Sequence, residues 1–120
     1  MNMFKVKRIY DEYSDDDGIR ILVDRLWPRG ISKETAKLDY WFKNVAPSTE
    51  LRKWFHHEPE KFQEFTLKYR NELNEHNPIE IQQLIELGKE HVVTLLYSAK
   101  DEEHNQAFVL IDYLQEKLKN

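Results

Sequence analysis

Cysteine is absent from these 120 residues, which removes disulfides, thiol nucleophiles and Cys-ligated zinc or iron–sulfur centres from the available chemistry. The absence fits a reducing compartment, and the cytoplasm is the expected location. Long hydrophobic runs are missing too. The segment from Met1 to Arg8 has no apolar core of signal-peptide length, and nothing approaches the roughly 20 apolar residues of a membrane span. A soluble chain with no membrane partner is therefore expected. Positive charge is in deficit: 18 Lys and Arg stand against 22 Asp and Glu, for a formal net charge of −4. Generic polyanion binding neutralises many phosphates with Lys and Arg, so this balance argues against nucleic acid while leaving room for a local basic pocket. There is no internal repeat, low-complexity tract or interdomain linker. A chain of this length makes one ordinary domain, able to bury about two thirds of the surface its unfolded form exposes.

Two apolar runs break at once into ionisable and aromatic residues. Ile19 to Val23 leads into Asp24-Arg25-Leu26-Trp27-Pro28-Arg29-Gly30, and His91 to Tyr97 leads into Ser98-Ala99-Lys100-Asp101. Each reads as a buried strand ending in charge, the pattern of the carboxyl edge of an open α/β sheet, where ligands bind. The second run is almost continuous and suits a central strand covered on both faces. Lys5 to Tyr10 mixes apolar and basic residues as a half-exposed strand does, and Asp11 to Gly18 is an acidic turn closing on Gly. Its Asp15-Asp16-Asp17 run lacks the spacing and terminal Glu of a calcium loop and reads as a solvated turn. The length of this turn suits a hairpin, and an extended return to parallel pairing fits it as well, so the orientation of the first two strands stays open.

Ser32 is placed to cap a short helical turn through Ala36, and Leu38, Tyr40 and Phe42 alternate with Asp39, Trp41 and Lys43 as a third, shorter strand. After Pro47, an N-cap at Ser48, Glu50 in the first turn and Leu51, Trp54 and Phe55 on one face predict a helix. Pro59 starts another, with Phe62, Phe65, Tyr69 and Leu73 as its apolar stripe. Asn77-Pro78-Ile79-Glu80 reads as a cap, a first-turn proline and a capping-box acid. Ile81, Leu84 and Ile85 are the buried face of that helix, and Gly88 its stop. A final helix from about Glu102 to Lys117, capped by Asp101, turns Ala107, Leu110, Ile111, Leu114 and Leu118 inward. The expected fold is a small single-domain α/β structure. Its mostly parallel or mixed sheet of three to four strands is flanked by about four helices.

If the strands ending at Val23 and Tyr97 lie together with the same polarity, Asp24, Arg25, Trp27 and Arg29 come within reach of Ser98, Lys100, Asp101 and His104. That is a mixed acid–base pocket. The start of the last helix, at about Glu102 to His104, adds backbone N–H groups and a positive dipole end. Arg25 or Arg29 would grip an anion with two hydrogen bonds and Lys100 would act as a point charge. Trp27 would stack on an aromatic or sugar face, and Asp24 or Asp101 would be the acid–base residue. Plainer roles compete with these. Asp24 and Arg25 can form ion pairs at a strand end, Trp27-Pro28 can be a packing wedge, Gly30 can supply a positive φ, and Asp101 can be only a helix cap. Ser98 lacks the glycine-flanked elbow of a serine nucleophile. Lys100 as a Schiff-base amine would need burial. His56 and His57 are adjacent and diverge by about 100° on a helix, and His104 has no second His at i+4. Hence no metal and no cofactor is expected.

Three blocks in order, Val23 to Gly30, Ala46-Pro47-Ser48 with Glu50 to Phe55, and Thr94 to Lys100 with Asn105, resemble the YeaO-like family, domain of unknown function 488. The resemblance spans nearly the whole chain and adds Asn105 to the candidate ligand-binding residues. It implies a compact α/β domain of bacterial and archaeal cytosol without an assigned reaction. Longer relatives carry a Cys-His-Arg cluster where this chain runs from Asp101 to Asn105. Without a cysteine here, no thiol or metal chemistry carries across.

The leading expectation is an enzyme or ligand-binding domain for an anionic small molecule, phosphorylated, nucleotide or carboxylated. The alternative is a non-enzymatic interaction module contacting protein or nucleic acid through Trp27, Arg52, Trp54 and Phe55. Convergence of the first set on one concave pocket favours the former, whereas an exposed aromatic patch favours the latter. Arg52 is expected to lie on a helix away from the anion site.

Overall fold

The computed structural model describes residues 3–119. In chain order the elements are β1 (Phe4–Arg8), β2 (Ile19–Leu22), α1 (Lys33–Ala36), β3 (Tyr40–Trp41), α2 (Thr49–Phe55), α3 (Phe62–His76), α4 (Ile79–Glu90), β4 (Val93–Tyr97) and α5 (Gln106–Lys119). The four strands form one sheet in the order β1-β4-β2-β3, with every neighbouring pair parallel. An apolar strand buried on both faces can pair all its backbone groups only from an inner position. β4, whose five residues are all buried, takes that place. Phe4 to Arg8 pair with Val93 to Tyr97 on one side, and Ile19 to Leu22 pair with Val93 to Leu96 on the other. The first two strands are therefore not a hairpin, because the last strand lies between them.

Segment 9–18 is the crossover that this order demands, and it is held by charge. Asp17, in a 3-10 turn at Asp15–Asp17, is only 5% exposed, so the acidic run is not uniformly solvated as its composition suggests. Its carboxylate accepts from the Ser14 N–H (3.1 Å) and Lys7 Nζ (3.1 Å) and pairs with the guanidinium of Arg20, itself 2% exposed. Arg20 Nη2 donates onward to the Ala36 carbonyl at 2.9 Å, and Thr94 Oγ1 donates to the Asp17 carbonyl at 2.7 Å. Gly18 has φ 65°, and a Cβ there would sit 2.2 Å from the Val92 carbonyl oxygen. Only glycine lets the chain pass so close to the entrance of β4.

Side chains alternate between two unequal layers. Phe4, Ile21, Val23, Val93, Leu95 and Tyr97 share the larger core with buried residues of α2 to α5, among them Phe65, Tyr69, Leu84 and Leu110. The opposite face is thinner: Ile9, Leu22, Ala36 and Leu96, with Trp27, Ile31, Leu38 and Trp41 packed against them. β3 is shorter than its alternation suggests. Leu38 and Trp41 join the smaller cluster, whereas Phe42 packs on the larger one.

Ser32 and Ser48 cap α1 and α2 as expected, accepting from the backbone N–H of Thr35 and Leu51. Other boundaries differ from the sequence reading. Asn77, with φ 41°, closes α3 in the left-handed conformation instead of opening α4. Gly88 does not stop α4, which continues to Glu90; it lies against the Phe4 ring, where a Cβ would be 2.4 Å from Cζ. α5 begins at Gln106, and its cap is Asn105, whose Oδ1 accepts from the N–H groups of Ala107 (3.0 Å) and Phe108 (3.3 Å). Among the described residues, no helix is long and apolar enough to cross a membrane.

Candidate functional site

Parallel pairing of β2 with β4 delivers Val23-Asp24 and Ser98-Ala99 to the same edge of the sheet, the geometry on which a shared site depends. There the chain encloses a cavity of about 420 Å³, within the size range of small-molecule sites. Asp24 bridges the segments: Oδ2 accepts from the Ser98 N–H at 2.9 Å and Oδ1 from the side-chain amide of Gln106. Burial raises its pKa above the usual carboxylate range, against the hydrogen bonds from Ser98 and Gln106 and the field of His57, which act to lower it.

The loops around the cavity are held by side chains that donate to backbone carbonyls. Arg8 Nε reaches Ala99 O at 2.9 Å, Tyr10 Oη reaches Arg29 O at 2.7 Å, Trp27 Nε1 reaches Ile31 O at 2.7 Å and Trp41 Nε1 reaches Asp24 O at 2.7 Å. Arg25 belongs to this set, with Nε and Nη2 donating to Pro47 O and Ala46 O, each at 3.0 Å. These bonds satisfy carbonyls that strand pairing cannot reach, and they fix the shape of the rim.

The nine candidate residues do not all meet here. Asp24, Arg25, Trp27, Arg29, Ser98, His104 and Asn105 line the cavity; Lys100 and Asp101 do not. Lys100 is exposed, without the burial that Schiff-base chemistry needs. Asp101 caps a turn, accepting from the N–H groups of Glu103 and His104, both at 2.9 Å. These bonds hold its carboxyl below the usual range, the wrong direction for a base poised near neutrality. Asn105 lines the wall but is engaged as a cap, with Nδ2 donating to Asp101 O at 2.9 Å. It also occupies the N–H groups that would have bound an anion, while the residues at 102–104 lie outside the helix. Arg25 spends Nε and one N–H of Nη2 on backbone carbonyls, and Trp27 packs edge-on against Trp41, with ring centroids 5.4 Å apart.

Sequence reasoning missed Gln106, His57, Tyr10 and the placement of Arg52, all of which line the cavity. Arg52 is not remote, because α2 ends beside the site. His56 and His57 follow it with φ 47° and 55°, and this consecutive left-handed pair returns the chain along the rim. A glutamine inside a helical stripe and an arginine on a helix surface carry no sequence signal of their own. Of the aromatic residues of the interaction-module reading, Trp27 and the buried Phe55 line the cavity, while Trp54 lies outside it, half-buried, with the ammonium groups of Lys61 and Lys68 each 5.1 Å from its ring.

A family model described as "Inactive DUF488-N3 subclade" matches residues 3–120. The chain is 50% identical over 109 residues to the Escherichia coli (strain K12) protein named Uncharacterized protein YeaO, an alignment covering 91% of this chain and 94% of that one. It is 42% identical over 110 residues to Uncharacterized protein Rv3073c of Mycobacterium tuberculosis (strain ATCC 25618 / H37Rv), with 92% of each chain covered. Uncharacterized protein Mb3100c of Mycobacterium bovis (strain ATCC BAA-935 / AF2122/97) matches to the same extent. No solved structure matches the chain.

Proposed function

Because the chain belongs to the YeaO-like DUF488 family and matches its inactive DUF488-N3 subclade, we propose that it acts by binding, and that the cavity at the sheet edge takes a small anionic molecule, carboxylated or phosphorylated. The observation that carries this reading is the pair Arg29 and Arg52. They come from separate segments to one cavity, and neither guanidinium has a protein partner among the described residues. An unpaired guanidinium presents a planar fork of donors that matches a carboxylate or phosphate. Arg25 and the rings of His57 and His104 line the same cavity. The apolar body of a ligand would lie against Leu26, Pro28, Phe55 and Phe65. The description of the subclade as inactive supports binding without turnover, and so does the engagement of Asp101 in a turn.

A thermal-shift series with inorganic phosphate, succinate and a nucleoside monophosphate tests the reading. A probe at a hundred times its dissociation constant stabilises the folded state by about 2.7 kcal/mol, a rise on the order of 10 °C for a domain of this size. The double variant Arg29→Ala/Arg52→Ala is expected to lose that rise, and Lys100→Ala to keep it. No shift with any anion, or an equal shift in the double variant, overturns the proposal.

A further inference from the structure

Two aspartates in this protein are buried alike and served differently. Asp17, 5% exposed, has two cations on its carboxylate, Lys7 and Arg20. Asp24, 7% exposed, forms no ion pair among the described residues; its partners are all neutral, the backbone N–H and hydroxyl of Ser98 and the amide of Gln106. The cation-capable groups around Asp24 serve other contacts or lie across the cavity. Arg25 donates to Ala46 O and Pro47 O, His104 Nδ1 lies 2.9 Å from Asp101 Oδ2, and His57 acts on Asp24 only through space.

A buried carboxylate normally receives a cation or several strong donors, as Asp17 does. A carboxylate has lone pairs for about four hydrogen bonds, and the bonds from Ser98 and Gln106 leave Asp24 short of that number with no cation among its donors. Asp24 lines the same cavity as Arg29 and Arg52.

Resting on the anion-binding reading above, we infer that the ligand is two-ended: an anionic group for Arg29 and Arg52, and a nitrogen-borne donor, an ammonium or an amidine-like N–H pair, for Asp24. The cavity then separates a positive subsite from a negative one across apolar walls. A simple dianion fills only half of it. A purely structural Asp24, tying β2 to β4 and α5, needs no spare acceptor capacity and no neighbouring unpaired arginines.

Matched probes distinguish the sources of such a donor. Ethyl phosphate against 2-aminoethyl phosphate adds an aliphatic ammonium, and inosine monophosphate against guanosine monophosphate adds an exocyclic amine beside a ring N–H. In the wild-type protein, the amine-bearing member of at least one pair is expected to bind about tenfold more tightly, the scale of one charge-assisted hydrogen bond. Asp24→Asn should erase that difference. If both members of each pair bind equally to the wild type, and both are lost in Arg29→Ala/Arg52→Ala, the anion site stands and the two-ended inference falls. If no phosphate binds at all, both fall. The wild-type comparison needs no variant, so a poorly folding Asp24→Asn does not shelter the inference.

Discussion

At the scale of single residues, Asp24 carries the clearest physical signature of a site that works against stability. Burial raises its folded-state pKa above the unfolded value despite the bonds from Ser98 and Gln106. Folding therefore favours the protonated form, and stability is highest below the unfolded value near 3.9 and is lost as pH rises through the folded value. Asp24→Asn removes that penalty. The new Oδ1 accepts from the Ser98 N–H, and the Gln106 amide turns to present its oxygen to Nδ2. The expected outcome is a higher Tm than wild type at pH 7, with the gain vanishing below about pH 4. Melting curves across that range check it. A lower Tm for the variant at pH 7 would show that the carboxylate is kept for the fold and not for a ligand.

At the scale of elements, helix ends and close approaches show how local signals are reassigned by packing. Asn77, Asp101 and Asn105 all carry cap-forming side chains, yet Asn77 closes a helix, Asp101 caps a turn and Asn105 opens α5. Each short polar side chain can bond a nearby N–H, so sequence identifies the class of role, and the docking of the helix selects which residue performs it. Gly88 illustrates the other case. Its composition suggests a helix stop, but its place is the crossing of α4 over the Phe4 ring. Gly88→Ala gains about 1 kcal/mol of helix propensity and forces the Phe4 ring aside, a clash of about 1–3 kcal/mol. A net loss is expected, read as a lower urea midpoint with an unchanged m-value. A midpoint at or above wild type would mean that the ring moves freely.

At the scale of the whole molecule, the crossover from β1 to β2 is the feature on which the sheet order depends. Asp17 joins it to three strands, through Lys7 on β1, Arg20 on β2 and Thr94 on β4. Burial alone would raise the Asp17 pKa, but the Ser14 N–H and the cations of Lys7 and Arg20 together hold it below the usual range. Its contribution is therefore complete above the unfolded value near 3.9 and is lost progressively as pH falls from there through the lower folded value. Asp17→Asn leaves Lys7 and Arg20 without their counter-charge. Breaking such a pair costs about 3 kcal/mol, or roughly 10 °C in Tm for a chain of this length. The deficit should be largest near neutrality and shrink in acid, where wild-type Asp17 also becomes neutral. A constant deficit at all pH values would assign the loss to packing instead of charge.

The sequence by itself determined what depends on near neighbours along the chain. The almost continuous apolar run ending at Tyr97 suited an inner strand and is one, the two serine caps stood where they were read, and the stripes of Phe65, Tyr69 and Leu73 and of Ala107, Leu110 and Leu114 marked two buried helix faces. It also located the cavity, because strands that end in charge announce the carboxyl edge of a parallel sheet. Only the tertiary structure decided that β4 separates β1 from β2, that Arg25 holds a loop, that Lys100 and Asp101 do not line the cavity, and that Arg52, His57 and Gln106 do. The physical reason is range. Periodicity and caps are set within a few residues, whereas the partner a guanidinium or carboxylate finds depends on contacts such as Asp24 with Ser98 and Gln106, which come from 74 and 82 positions away.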